Sequence, residues 1–125
     1  MQFRKQKISF VESSEVCDGV ACRVYNFEND NTKDLGVVTV KKGYKTPLQK
    51  VLTGDKTLEI FQAGKGTLRV ISVDGTKKVY NFPSEESEVE VKVGELMQWE
   101  ALEDLTFAEV CYPPYQDGRF ENVAE

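Results

Sequence analysis

The feature that most constrains this fold is a two-residue alternation of apolar and polar side chains that recurs in short runs. In 88–93, Val89, Val91 and Val93 alternate with two glutamates and a lysine. Such alternation predicts a strand with one buried and one wet face. Nine further runs are strand candidates: 7–11, 21–27, 36–41, 48–52, 57–61, 67–73, 77–80, 95–99 and 105–111. Because helical periodicity is nearly absent, ten short strands predict an all-β barrel or sandwich.

Turn residues organise these strands into one unit. Asp74-Gly75, between 67–73 and 77–80, predicts a β-hairpin. Within 67–73 the apolar phase slips by one residue, which predicts a β-bulge. No Pro-, Ser- or Gly-rich linker divides the 125 residues, so we expect a single domain over 1–125. The tail 112–125 is predicted to lie extended on the barrel, anchored by Tyr115 and Phe120.

The composition excludes many kinds of active site, because the chain contains no histidine. There is no Ser-His-Asp or Cys-His nucleophile pair, no HExxH zinc site and no two-His-one-carboxylate iron site. Three cysteines, Cys17, Cys22 and Cys111, lack the paired spacing of a zinc knuckle. An imidazole general base is excluded as well. Any acid–base chemistry would have to use carboxylates, tyrosines or cysteines.

Charge and hydropathy limit the partners. Sixteen basic and 21 acidic residues give a net charge of −5, which disfavours nucleic-acid binding. No stretch approaches the roughly 18 apolar residues of a membrane span. The first fifteen residues lack the apolar run of a signal peptide. With an odd number of cysteines, these observations predict a soluble cytoplasmic protein in a reducing compartment, with no membrane partner.

Spacing from residue 43 onward resembles the cupin superfamily, whose first motif reads G-x5-H-x-H-x3/4-E-x6-G. Here Gly43 is followed after five residues by Gln49 and then by Val51, and Gly64 is the first glycine of a G-x-G turn. Val93-Gly94-Glu95 matches only the start of the second cupin motif. The Pro-Pro exit after 105–112 is similar to that of many small cupins. The resemblance covers 36–115 and implies an antiparallel jelly-roll barrel that often forms homodimers.

The same resemblance implies that the metal-binding residues are missing. Metal-binding cupins hold the ion with three imidazoles and one carboxylate. The matching positions here are Gln49, Val51 and Thr57, and the fourth ligand has no counterpart. An amide, a valine and a threonine hydroxyl are poor ligands for iron, manganese, nickel or zinc. We therefore expect no bound metal and no cofactor.

The orientation of two strands stays open. In 57–61, alternation alone favours Leu58 and Ile60 in the core with Glu59 solvated, whereas the cupin resemblance places Glu59 inside the barrel near Gln49. In 95–100, either Met97 and Trp99 or the two residues Gln98 and Glu100 face inward. The first choice is favoured there, which would leave Gln98 and Glu100 near a rim.

These inferences predict a metal-free cupin-like protein that binds a small organic ligand, with a carbohydrate as one candidate, in the barrel cavity. The predicted ligand-binding residues are Gln49, Glu59, Thr57, Tyr44, Trp99 and Tyr112. Two alternatives stay open. In the first, the barrel has lost its binding site and strand 7–11 pairs with another protomer. In the second, the protein is a metal-free isomerase or epimerase that uses a carboxylate base. Weak catalytic candidates for that enzyme are Glu59 and Glu109, with Tyr44 or Tyr112 as proton partner, so an enzyme is not favoured.

Overall fold

A computed structural model describes residues 1–114 and 120–124, and these residues form twelve strands and no helix. The strands are β1 (Gln2–Phe3), β2 (Gln6–Cys17), β3 (Val20–Phe27), β4 (Asp30–Val40), β5 (Gln49–Val51), β6 (Lys56–Ala63), β7 (Gly66–Ile71), β8 (Lys77–Phe82), β9 (Glu88–Lys92), β10 (Leu96–Ala101), β11 (Leu105–Tyr112) and β12 (Phe120–Asn122). This part of the chain offers no helix that could span a membrane.

The predicted all-β fold is confirmed, and each of the ten predicted strands has an observed counterpart with shifted ends. The short β1 and β12 were not predicted, and β2 extends well beyond 7–11. The predicted bulge in 67–73 is wrong. β7 pairs in unbroken register with β8 and β10 and ends at Ile71. Ile71 and Val73 created the apparent phase slip, but Ile71 is the last residue of β7 and Val73 is 79% exposed in the hairpin turn. In that turn Asp74 Oδ1 accepts a hydrogen bond from the Thr76 backbone N–H at 2.9 Å.

The strands form two antiparallel sheets. The larger has the order β1-β2-β3-β4-β11-β6-β9, and the smaller has the order β12-β5-β10-β7-β8. Their inner faces enclose a barrel core that includes Leu68, Met97, Trp99 and Phe107. The rings of Trp99 and Phe107 stack with centroids 4.4 Å apart, so side chains of both sheets interlock at the centre of the barrel.

A second core covers the outer face of the larger sheet. Leu35, Ile60 and Val110 are buried there, with Phe3 from β1 packed against the same cluster. The turn between β1 and β2 reaches β9 at the opposite end of the sheet order, where Arg4 Nη1 lies 2.7 Å from Glu88 Oε1. The N-terminal hairpin therefore lies over the outer face, and both faces of the central strands are buried.

The C-terminal segment returns to the barrel, as the sequence predicts. β12 pairs with β5, with Phe120 opposite Val51. Phe120 packs against the barrel core. The other predicted anchor, Tyr115, lies outside the described residues. β12 adds the last strand to the smaller sheet beside Gln49, so this segment closes one wall of the candidate site.

Candidate functional site

Strand register places a row of inner-face residues across the larger sheet. Directly opposite one another lie Val24 on β3, Gly36 on β4, Glu109 on β11 and Glu59 on β6. Residues opposite one another in an antiparallel pair point to the same face. Two carboxyl side chains are thus neighbours inside the barrel, beside a position that has no side chain.

A cavity of about 210 Å³ opens on this concave face. Its described lining comprises Glu12, Ser14, Val16, Val20, Cys22, Val24, Asp34, Gly36, Val38, Thr46, Gln49, Phe107, Glu109, Cys111 and Phe120. Apolar walls with a few convergent polar groups are typical of small-molecule sites. The volume is below the roughly 300–1,000 Å³ of pockets for drug-sized ligands, so it suits a small monomeric compound.

Glu59 is a buried acid beside this cavity. Its side chain is fully buried. Oε1 accepts a hydrogen bond from Trp99 Nε1–H at 2.9 Å, and Oε2 has no hydrogen-bond partner of standard geometry. Burial raises the pKa of Glu59 well above its ordinary value of 4.5, and the charge and hydrogen bonding of Glu109 raise it further. The opposing effect of the Trp99 hydrogen bond is smaller. The pair of carboxyl groups therefore favours holding one proton.

Cys22 is a cavity-lining thiol whose pKa is raised by burial and by neighbouring carboxyl groups. Burial raises the pKa of its thiol to about 12, and the carboxyl groups of Glu109, Asp34, Glu12 and Glu59 add to the shift in that order. A thiol with so high a pKa stays protonated at neutral pH and is a poor nucleophile. Burial is the largest cause of this shift, and the neighbouring carboxyl groups make this wall of the cavity acidic.

Comparison with known proteins gives matches in structure alone. No protein-family model matches the chain, and no curated protein matches it in sequence. Bacillus subtilis oxalate decarboxylase, a protein with Mn(II) centres, superposes with a TM-score of 0.67 at 20% identity over 82% of this chain. CapF, solved with the inhibitor 3-isopropenyl-tropolone, superposes with a TM-score of 0.68 at 15% identity over 95% of this chain.

This chain has the cupin fold. It spans 28% of the oxalate decarboxylase chain and 34% of the CapF chain. The likeness at these identities concerns the fold and carries no activity with it. The predicted resemblance to cupins is confirmed as a resemblance in architecture.

The residues at the metal positions of the cupin motif do not form a metal-binding set. Val51 and Thr57 are fully buried, and Gln49 offers an amide at the cavity wall. Across residues 1–114 and 120–124, no three Cys, Asp or Glu side chains are grouped so that they could hold an ion. The donor chemistry of these three positions does not fit iron, manganese, nickel or zinc.

The structure brings together some of the predicted site residues. Gln49 lines the cavity from β5, and Glu109 lines it from β11. Glu59, Thr57 and Trp99 lie on the inner face but are buried next to the cavity rather than in its described lining. Thr57 Oγ1, like Glu59 Oε2, has no hydrogen-bond partner of standard geometry. Their role in ligand binding stays a prediction.

Two predicted tyrosines lie elsewhere. Tyr44 is 46% exposed, and its ring covers Gly19, where an added Cβ would lie 2.4 Å from the ring. Tyr112 packs against the outer-face core, with the Lys33 and Lys56 ammonium groups 5.8 and 5.2 Å from its ring centroid. Neither tyrosine belongs to the described cavity lining. The described side chains that interact with the Glu59 carboxyl group are Trp99 and Glu109, and neither is a tyrosine.

Two orientations left open by the sequence are now decided. Glu59 faces inward, and the interpretation with Glu59 solvated is wrong, although Ile60 is also buried. This happens because the N-terminal hairpin covers the outer face of β6. Met97 and Trp99 face the core as favoured, but Gln98 is buried rather than at a rim. Its Nε2–H donates to the Thr46 carbonyl at 2.9 Å, and its Oε1 accepts from Arg69 Nη2 at 2.8 Å.

Sequence reasoning missed one wall of the cavity. Glu12, Cys22 and Asp34 all precede residue 36, where the cupin resemblance begins, so no motif pointed to them. The signal that could have found Cys22 is the alternation of Val20, Cys22 and Val24 on one face of β3. Asp34 and Glu12 carry no such signal, since an acidic residue at an alternating position normally indicates a solvated face.

Proposed function

We propose that this cupin-fold protein binds a small organic ligand in the barrel cavity without a metal ion. The single observation that carries the proposal is the cavity of about 210 Å³ on the concave face, with apolar walls and the polar groups of Gln49, Thr46, Asp34 and Glu109. Aromatic and aliphatic walls bury the body of a ligand, while a few polar groups fix its orientation. We propose a carbohydrate as the leading class, because hydroxyl groups can donate to carboxyl and amide oxygens.

A thermal-shift screen of the full chain against carbohydrates and other small metabolites tests this proposal. A ligand that binds the folded protein alone raises Tm with its concentration. We expect at least one compound to raise Tm, and the rise to be lost in Gln49→Leu, which removes the amide from the cavity wall. The exposed variant Gln62→Leu, on β6, is the matched control. A screen without any stabilising compound would contradict the proposal.

The buried carboxyl pair favours a second candidate, a metal-free isomerase or epimerase. A desolvated glutamate with a raised pKa is suited to proton transfer near neutral pH. Glu59 supplies the raised pKa, and Glu109 extends to the cavity wall. If a compound from the screen is converted, Glu59→Gln should retain its binding and lose at least a hundredfold in kcat. Unchanged kcat would remove Glu59 as the base.

Assembly through β2 is a third candidate, and we propose a homodimer as its form. β1 pairs only with Gln6 and Lys7, and no other described strand pairs with that edge of β2. Phe10, Val11 and Val16 are exposed along the strand. A long edge with exposed apolar side chains is a template for pairing with another chain.

We further propose that residues 1–125 act as one domain in the cytoplasm. The described strands form a single pair of sheets with a shared barrel core, which supports one folding unit. Cys17, Cys22 and Cys111 are all free thiols, which supports a reducing compartment. Expression of a fluorescent fusion of the full chain, followed by fractionation, tests the location.

A further inference from the structure

Gly36 occupies an unusual place for a glycine. It lies inside β4, a central strand of the larger sheet, with β3 on one side and β11 on the other. Its backbone is not in the left-handed region, and both ladders run past it in regular register. Glycine in a strand interior weakens the strand. Neither a left-handed backbone conformation nor a β-bulge explains why this position has glycine.

Crowding by the backbone does not explain it either. A Cβ at Gly36 would lie 3.3 Å from Cys22 Sγ and 4.0 Å from the Glu109 carbonyl oxygen, with no other heavy atom as close. The sulfur belongs to a short side chain that faces the cavity, so it can shift by the few tenths of an ångström needed. By contrast, a Cβ at Gly66 would meet the Glu100 carbonyl oxygen at 2.5 Å. The backbone requires glycine at Gly66, whereas at Gly36 the one close contact of an added Cβ is the end of the short Cys22 side chain.

Gly36 lines the polar part of the cavity. Glu109 is directly opposite Gly36 on β11, and Asp34 lies two residues away on the same face of β4. Beyond Glu109 is Glu59, fully buried, with Oε2 lacking a hydrogen-bond partner of standard geometry. The described lining includes Glu12, Asp34 and Glu109 but no lysine or arginine.

We propose that Gly36 is the contact surface for the ligand, which lies against its backbone and directs a hydroxyl or ammonium donor to the Glu109 carboxyl group. This inference rests on the proposed function and adds the ligand class, a neutral or cationic compound rather than an anion. Carboxyl oxygens accept hydrogen bonds from such donors and repel a carboxylate. The Glu109 carboxyl group also adds to the rise in the pKa of Cys22, which burial mainly causes.

The first experiment asks whether the fold needs this glycine. Gly36→Ala and Gly36→Val are compared with Thr39→Val, an exposed position on the same strand. Replacing a glycine with alanine at a compatible position restricts the unfolded chain, so we expect Tm of Gly36→Ala to rise by roughly 2–4 °C. A fall in Tm that exceeds any fall in Thr39→Val would show that the fold requires Gly36 and would overturn the proposal.

The second experiment tests the ligand class with three probes that share one ring: D-glucose, D-glucosamine and D-glucuronate. We expect calorimetry to show binding of glucosamine and glucose to the wild-type protein and none of glucuronate. Gly36→Val should weaken the binding at least tenfold, and Thr39→Val should leave it unchanged. Preferential binding of glucuronate, or no binding of any probe, would overturn the ligand class.

The two proposals fail in different ways. A compound from the wider screen that binds Gly36→Val as tightly as the wild-type protein would overturn the role of Gly36 and leave the proposed function intact. A wild-type protein that binds no compound at all would overturn both.

Discussion

Glu59 shows how a single buried residue makes the stability of this protein depend on pH. Its pKa is raised above the ordinary 4.5 by burial and by Glu109, so the folded chain keeps a proton that the unfolded chain releases. When the folded state binds more protons, stability falls as pH rises. The fall starts near the ordinary pKa and continues until the raised pKa is reached.

Glu59→Gln should remove this dependence. As pH rises from 5 to 8, the free energy of unfolding of the wild-type protein should fall relative to that of the variant. The difference should change by at most about 1.4 kcal/mol per pH unit. Urea unfolding at several pH values measures it. Glu100→Gln, an exposed carboxyl on β10, should run parallel to the wild type. If the free energy of unfolding of Glu59→Gln also ran parallel to that of the wild type, Glu59 would not be the group with the raised pKa.

The hydrogen bond between Trp99 and Glu59 gives a second prediction at this scale. Trp99→Phe removes the donor to Glu59 Oε1, and the unsatisfied buried acceptor should cost about 1–3 kcal/mol in addition to the lost packing. In a Glu59→Leu background no acceptor remains, so the same substitution should cost less. Urea unfolding of the four proteins measures the difference. Equal costs in both backgrounds would contradict the hydrogen bond.

β2 carries a prediction at the scale of a strand. We expect a homodimer in solution, and we expect Val11→Lys to shift it toward monomer, because a charge on an exposed apolar edge opposes strand pairing. Size-exclusion chromatography with light scattering measures the mass. Val79→Lys, at a residue 58% exposed on β8, is the control and should keep the wild-type mass. A wild-type monomer at high concentration would contradict the prediction.

The strands also show how far alternation can predict structure. β9 was predicted closely because one face is wet, so Val89 and Val91 stand out from their neighbours. β6 was ambiguous because both faces are buried, one by the barrel and the other by the N-terminal hairpin. A buried glutamate on such a strand looks like a solvated one. Alternation reports the contrast between two faces, and it loses its meaning where the contrast disappears.

At the scale of the whole molecule, the barrel could be predicted from the sequence, but the cavity could not be predicted in full. Turn residues and the G-x-G spacing identified the cupin architecture, and Gln49 and Glu109 were identified from it. Asp34 and Gly36 depend on register between strands distant in sequence, since Gly36 meets Glu109 across 73 positions. Register of that kind is decided by packing of the complete sheet, which no short motif encodes.

The two cores lead to a last prediction, about metal ions. The barrel core and the outer-face core bury both sides of β4, β11 and β6, so no ion is needed to hold the sheets together. An ion bound to the folded state would add stability that a chelator removes.

We expect EDTA to leave Tm unchanged, and added Mn(II) or Zn(II) to leave it unchanged too, because the motif positions hold Gln49, Val51 and Thr57 rather than imidazoles. Elemental analysis of the purified protein should find well under one metal ion per chain. A Tm that falls on chelation and returns with one particular ion would mean that other side chains form a site, and the proposal of a metal-free cavity would be wrong.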